Sequence, residues 1–245
     1  MTATVPRLNP LPLGRSVRLI GYVVPGLRRV TAQIGPYTAW WDEQNQQAVE
    51  AEGPLLMALG DSTVIGIGAS SPELGFVGRL RRRLEVHDGR PWRMINIGLS
   101  GARIQDGLDR QLPILDDLLE NGVTPEALVC CIGANDVVWD KGDGPLRRRL
   151  LGLCAGLPTS SVIATTPGRS ARARLANRTI RQGAAEHDLV ALDPWNEPGP
   201  PPLGRMASDR FHPNDVGYDL VAQAFARSLG ADDDREVPGY DPARQ

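Results

Sequence analysis

Cysteine is scarce in this chain, and the scarcity is informative. Its three cysteines in 245 residues are an odd and small set. Cys130 and Cys131 are adjacent inside an apolar run, where neighbouring side chains of a strand point to opposite faces. That argues against a disulfide framework and suits a reducing compartment. There is no Cys-x-x-Cys pair to suggest a zinc site. Charge of one sign is lacking too: 27 basic against 29 acidic residues leave a net charge of −2 at pH 7. No global field therefore draws the chain to nucleic acid or anionic lipid. Apolar runs stay far below the roughly 20 residues that span a bilayer. Leu19 to Val24 is short, stops at Pro25 and runs into Arg28-Arg29, which does not fit a secretory signal. These absences point to a cytoplasmic protein without a transmembrane segment. A basic amphipathic contact of residues 15–30 with a membrane surface stays open.

What is present reads as one sizeable α/β domain with extra segments, from a composition of 41% hydrophobic and 23% charged residues. Residues 1–53 form an N-terminal extension, rich at first in Pro, Gly and Arg. It carries a helix near Tyr37–Ala51 that places Tyr37, Trp40, Trp41 and Ala48 on a buried side. The paired tryptophans read as a core anchor, with a binding surface as the other use. Residues 54–230 follow the βαβ pattern of a parallel sheet. Strands are expected near Leu55–Leu59, Arg93–Ile97, Ala127–Ile132, Val162–Thr165 and Leu189–Leu192, buried on both faces. Helices are expected near Glu73–Val86, Ile104–Leu119, Pro145–Cys154, Ser170–His187 and Asn214–Leu229, the last capped by Asn214. Two arginine runs, 81–83 and 147–149, read as solvated helix faces, since no aromatic residues interleave them. The tail 231–245, with three consecutive aspartates and no core residues, reads as disordered.

Four short motifs lie in order along this frame: Gly60-Asp61-Ser62, Ser100-Gly101, Gly133-Ala134-Asn135-Asp136 and Asp209-Arg210-Phe211-His212. Three of them follow a predicted strand. Together they offer a serine, hydrogen-bond donors, an aspartate and a histidine, the parts that acyl transfer through a serine needs. Ser62 falls at the carboxyl end of the first strand, where open parallel sheets bind ligands, although a serine there also serves as a helix cap. The Gly-x-Ser-x-Gly elbow is absent around it, in Gly60-Asp61-Ser62-Thr63-Val64. Among the three histidines, His87 and His187 sit at helix ends beside aspartates and read as surface or capping residues. His212 differs, because Asp209 precedes it by three residues on a segment closed by Pro213. That short loop lets a carboxylate hold one imidazole nitrogen while the other faces the serine. Gly66-Ile67-Gly68 lacks the third glycine of a dinucleotide loop. Asp61 and Asp136 show no further ligands at metal-binding spacing.

These four blocks, matched in order over about residues 55–229, resemble the SGNH hydrolases, also called the GDSL esterase/lipase family. The resemblance implies a three-layer α/β/α, flavodoxin-like fold with a parallel sheet of about five strands. It implies Ser62 as nucleophile, His212 as base and Asp209 as the group that orients it. The backbone N–H groups of Ser62 and Gly101 and the side-chain amide of Asn135 would form the oxyanion hole, with glycine at 101 letting backbone approach the ligand. Asp61 and Asp136 would shape the two loops behind them. No metal or organic cofactor is needed for this chemistry. The expected function is a serine esterase acting on a small-molecule carboxylic ester with a short acyl chain. Acyl transfer to a sugar or other alcohol by the same triad is the nearest alternative, and a non-catalytic flavodoxin-like binding module a remote one. The sequence leaves the natural ester and the oligomeric state open.

Overall fold

The computed structural model describes residues 4–7, 11, 25–139 and 142–231. Among the described residues, two helices precede the sheet, α1 (Pro25–Thr31) and α2 (Ile34–Glu50). Next come β1 (Leu55–Gly60), the short α3 (Ser62–Ile65), α4 (Phe76–Asp88) and β2 (Arg93–Asn96). A composite rod follows: α5 (Ile104–Asp106), a π-helical turn (Gly107–Gln111) and α6 (Leu112–Glu120). The second half holds β3 (Ala127–Cys131), α7 (Ala134–Trp139), α8 (Asp143–Ala155), β4 (Val162–Ala164), α9 (Ala171–Glu186), β5 (Val190–Leu192) and α10 (Asp215–Ser228).

The five strands pair in parallel in the order β2-β1-β3-β4-β5. This is the flavodoxin-like order, whose strand sequence reverses between β1 and β3. Alternation along β1 sends Leu55, Met57 and Leu59 into one core layer, with Leu115, Leu150 and Ile180 from the helices. Leu56 and Ala58 go to the other, with Trp41, Phe76 and Phe225. The sheet is thus covered on both faces, and Cys130 and Cys131 fall in opposite layers as free thiols.

The strands lie within a residue of their expected ends. The differences elsewhere have local causes. β5 is an edge strand with Val190 42% exposed, so burial on both faces does not extend to it. The long helix expected from Ile104 is broken into the π turn, because Pro113 has no N–H to return to the preceding turn. The arginine runs are less solvated than expected: Arg83 pairs with Asp219 at 2.9 Å, Arg81 with Glu85 at 2.9 Å, and Arg149 approaches Asp136 at 3.7 Å.

α1 falls where the sequence shows no periodicity. α2 lies along the β2 edge, which would otherwise expose unpaired backbone. Asn45 takes both backbone groups of Asn96 there, accepting from its N–H at 2.7 Å and donating to its carbonyl at 2.9 Å. Trp41 is 2% exposed and is the core anchor, with Trp40 edge-on to it at 4.7 Å. The membrane-surface reading of 15–30 rests largely on residues 15–24, and the acidic tail on 232–245, which lie outside the described residues. Among the described residues no helix is long and apolar enough to cross a membrane.

Candidate active site

β1 is flanked on both sides by strands and borders the point where the strand order reverses, so the chain leaving it emerges within the carboxyl edge of the sheet. There the Asp61 side chain accepts from the Thr63 N–H at 2.9 Å and caps α3. Ser62 is the first residue of that helix, and its N–H therefore has no intrahelical acceptor. The Gly60 carbonyl behind it receives the Leu99 N–H at 2.9 Å and the Gln111 side chain of the π turn at 2.7 Å. Burial pushes the Asp61 carboxyl up to about 6, although the Thr63 hydrogen bonds and the charge of His212 oppose the rise.

The histidine comes from the other end of the chain. Ala207 N–H donates to the His212 carbonyl at 2.8 Å and Arg210 N–H to that of Ala207 at 2.9 Å, closing a tight loop. Within it Arg210 takes a left-handed φ of 56°. The turn folds Asp209 back on the segment it precedes: Oδ1 accepts the N–H groups of Phe211 and His212 at 3.0 and 3.1 Å. Oδ2 lies 2.6 Å from His212 Nδ1, and His212 Nε2 lies 2.9 Å from Ser62 Oγ. Burial of Asp209 favours its neutral form, but the hydrogen bonds and charge of His212, with the two backbone donors, hold it below its ordinary value. The pair is thus set with a carboxylate on Nδ1, which leaves Nε2 to take a proton from the serine.

The remaining predicted residues come from the ends of β2 and β3. Asn135 opens α7, lines the same cavity as Ser62 and His212, and gives one of its two amide protons to the Ala102 carbonyl at 2.9 Å. Asp136 is fully buried, and its Oδ2 accepts the Ile104 N–H at 2.9 Å, tying the β3 loop to the β2 loop. Gly101 is exposed and lies outside the cavity lining. An added Cβ there would meet nothing within 4 Å, so its φ of +80° is what asks for glycine, rather than crowding. His87 and His187 are absent from the cavity. Among the described residues no group of three or more His, Cys, Asp or Glu is arranged to hold a metal ion.

The cavity measures about 580 Å³, within the range of small-molecule sites. Its apolar side includes Val138 and Phe211, 52% and 43% exposed. Sequence reasoning missed the far side, which comes from the ends of β4 and β5: Thr166, Arg169, Asp193 and Asn196, with Asn177 of α9. Asn177 holds Thr166 by accepting its N–H and hydroxyl at 2.7 and 2.8 Å. Their positions after strands were the only signal in the sequence. No described residue before Asp61 lines the cavity.

Comparison with known proteins gives a consistent result. The profile of the GDSL-like Lipase/Acylhydrolase family matches residues 58–220. A GDSL-like esterase of Mycobacterium tuberculosis is 29% identical over 198 residues, 71% of this chain. The chain spans 61% of that relative's length. Among solved structures, a lipase/acylhydrolase from Enterococcus faecalis superposes with a TM-score of 0.58 at 21% identity, covering 72% of this chain and 95% of that one. The psychrotrophic esterase EstA from a Pseudoalteromonas species gives 0.57 at 20% identity, covering 73% and 97%. At such identities the structural likeness speaks for the fold.

Proposed function

We propose, from the premise that this chain belongs to the GDSL-like Lipase/Acylhydrolase family, that it is a carboxylic ester hydrolase working through an acyl-enzyme on Ser62. The relay at the cavity carries the reading: Asp209 Oδ2 at 2.6 Å from His212 Nδ1, and His212 Nε2 at 2.9 Å from Ser62 Oγ. Ser62 Oγ adds to the ester carbonyl as its proton passes to His212 Nε2. The resulting oxyanion is stabilised by the Ser62 N–H and the second amide proton of Asn135; Gly101, outside the cavity lining, could add its N–H only if its loop moved toward the site. Collapse expels the alcohol, which takes the proton from His212. Water, deprotonated by the same imidazole, then releases the acid and returns the serine. Asp209 stays ionised throughout and stabilises the imidazolium.

The substrate is a short-chain ester of a small polar alcohol or sugar. Two features support this. The apolar wall at Val138 and Phe211 is open to solvent, and no described N-terminal residue covers it. The lining from the ends of β4 and β5 adds hydrogen-bonding side chains, Thr166, Asp193 and Asn196, among Pro167, Pro194 and Trp195. A fluorophosphonate label located by mass spectrometry tests the nucleophile: the adduct is expected on Ser62, and Ser62→Ala should lose nearly all esterase turnover. Labelling elsewhere, or wild-type turnover in the variant, would overturn the assignment. An added alcohol in the same assay separates hydrolysis from acyl transfer, since transfer would form new ester faster than free acid.

A further inference from the structure

α3 is one helical turn long, so only its first two carbonyls, those of Ser62 and Thr63, meet backbone N–H groups of the turn that follows, and the later carbonyls of this segment are left to other partners. Buried backbone groups need partners from elsewhere. Here they come from side chains. Val64 O accepts from Asn96 Nδ2 at 2.8 Å, Ile65 O from Trp41 Nε1 at 2.9 Å, and Ile67 O from the Tyr218 hydroxyl at 2.7 Å. Ala69 O accepts twice, from the Tyr37 hydroxyl at 2.8 Å and Gln33 Nε2 at 2.9 Å, while Gln33 Oε1 takes the Gly68 N–H at 2.8 Å. Four of these six bonds originate in Gln33, Tyr37 and Trp41. All three residues lie before the segment 58–220 matched by the family profile.

The segment they hold touches both halves of the relay. At one end the Ile67 N–H donates to the Ser62 carbonyl at 3.0 Å. At the other, Gly68, with a φ of +103°, lies so close to the histidine loop that an added Cβ would sit 2.8 Å from His212 Cβ. We propose that Gln33, Tyr37 and Trp41 are positioning residues, which make α2 a clamp that fixes the distance between Ser62 Oγ and His212 Nε2. This rests on the Ser62 reading above. Misplacement of a reacting group by about 1 Å can cost on the order of 100-fold in rate, and a partial loosening of the clamp should cost part of that.

Gln33→Met removes two bonds from a partly exposed site, and Trp41→Phe removes one while keeping an aromatic ring. With a short-chain p-nitrophenyl ester well below each variant's melting transition, kcat should fall roughly 10-fold or more with KM within about twofold. The rate of fluorophosphonate labelling at Ser62 should fall in parallel. Gln46→Ala is the control, because Gln46 lies on the same helix but donates to the Val5 carbonyl; it should keep kcat within about twofold. If Gln33→Met and Trp41→Phe lower the melting temperature and yet keep wild-type kcat and labelling rate, the helix only stabilises the fold and the proposal is wrong. Should Trp41→Phe fail to fold, Gln33→Met alone decides. A Ser62→Ala variant run alongside separates the failures: a dead Ser62→Ala beside a fully active Gln33→Met sinks the clamp and leaves the hydrolase reading standing.

Discussion

Behind the β1 side of the cavity, the carbonyls of Val64, Ile65, Ile67 and Ala69 are tied by side chains from α2, the end of β2 and α10, and Gly60 is held by the π turn. Across the cavity the molecule is built differently. Val138 and Phe211, which line it there, stand 52% and 43% exposed. The first wall is over-determined, and moving any of its atoms breaks buried hydrogen bonds. The second has few constraints on its side chains. A site divided this way fixes the reacting groups and leaves the substrate side free to change.

The comparison is broken most severely by removing a group from the fixed side. Asp209→Asn keeps the shape of the loop but favours the wrong imidazole tautomer, and should cost about 10³–10⁴-fold in kcat. His212→Ala should cost at least as much. The Asp209 carboxyl is held below its ordinary value by His212, once burial is overcome. The native state therefore binds its proton less tightly than the unfolded chain does. Its contribution to stability is present above the ordinary carboxylate range and is lost as pH falls through the lowered value. Unfolding curves should accordingly show Asp209→Asn less stable than wild type near neutrality, with the gap closing in acid. A gap that widens in acid would contradict the charged pair.

Asn135 stands where the two walls meet. It lines the cavity while its amide also holds the Ala102 carbonyl. Asn135→Ala should lower kcat by about 10²–10³-fold, the usual cost of one oxyanion donor, with KM changed much less. If KM rises and kcat holds, the residue binds substrate without stabilising the transition state.

The fixed wall was the more legible in the sequence, though only in part. Burial on both faces makes strands β1 to β4 apolar runs, and these were readable almost to the residue. Asp209 and His212 are three residues apart, and a loop that short leaves the carboxylate little choice of partner. The clamp left no such trace. Trp41 and Ile65, or Tyr37 and Ala69, meet through side-chain bonds to backbone across 24 and 32 residues. Periodicity reports which face of a helix is buried, and it cannot tell a tryptophan packed in a core from one that also donates to the backbone beside Ser62. Thr166, Asp193 and Asn196 were invisible for a related reason: polar residues after short strands look like ordinary turns. α7 is missing from the expected helices because Gly133 and Asn135 are turn-favouring residues, which here stand at the start of a six-residue helix.

The open wall is sharpened by acyl-chain length. Wild-type kcat/KM on p-nitrophenyl esters should peak between acetyl and about hexanoyl, and a maximum at dodecanoyl or longer would sink the short-chain reading. Val138→Ala removes a cavity-lining side chain already half exposed. It should shift kcat/KM by only about 2–5-fold, mostly in KM. A loss as large as that of Asn135→Ala would mean that the exposed wall closes on the substrate.

The last expected effect lies beneath the serine and bears on stability rather than rate. Asp61 is buried, and its carboxyl is raised from 3.8 to about 6 by that burial, with the Thr63 hydrogen bonds and the charge of His212 opposing and Asp136 adding to the rise. Between those values the folded state holds a proton that the unfolded chain has released. Stability from this group is therefore highest at low pH and declines as pH rises through the window. Asn cannot ionise, yet its side-chain oxygen still accepts the Thr63 N–H. Asp61→Asn should match wild type near pH 4 and gain on it toward pH 7, by on the order of 1–3 kcal/mol, a few degrees in Tm. Thermal unfolding of both proteins from pH 4 to 7.5 measures the difference. Parallel curves would mean that Asp61 ionises freely where it stands, and the fixed wall would then contain more water or more counter-charge than its hydrogen bonds suggest.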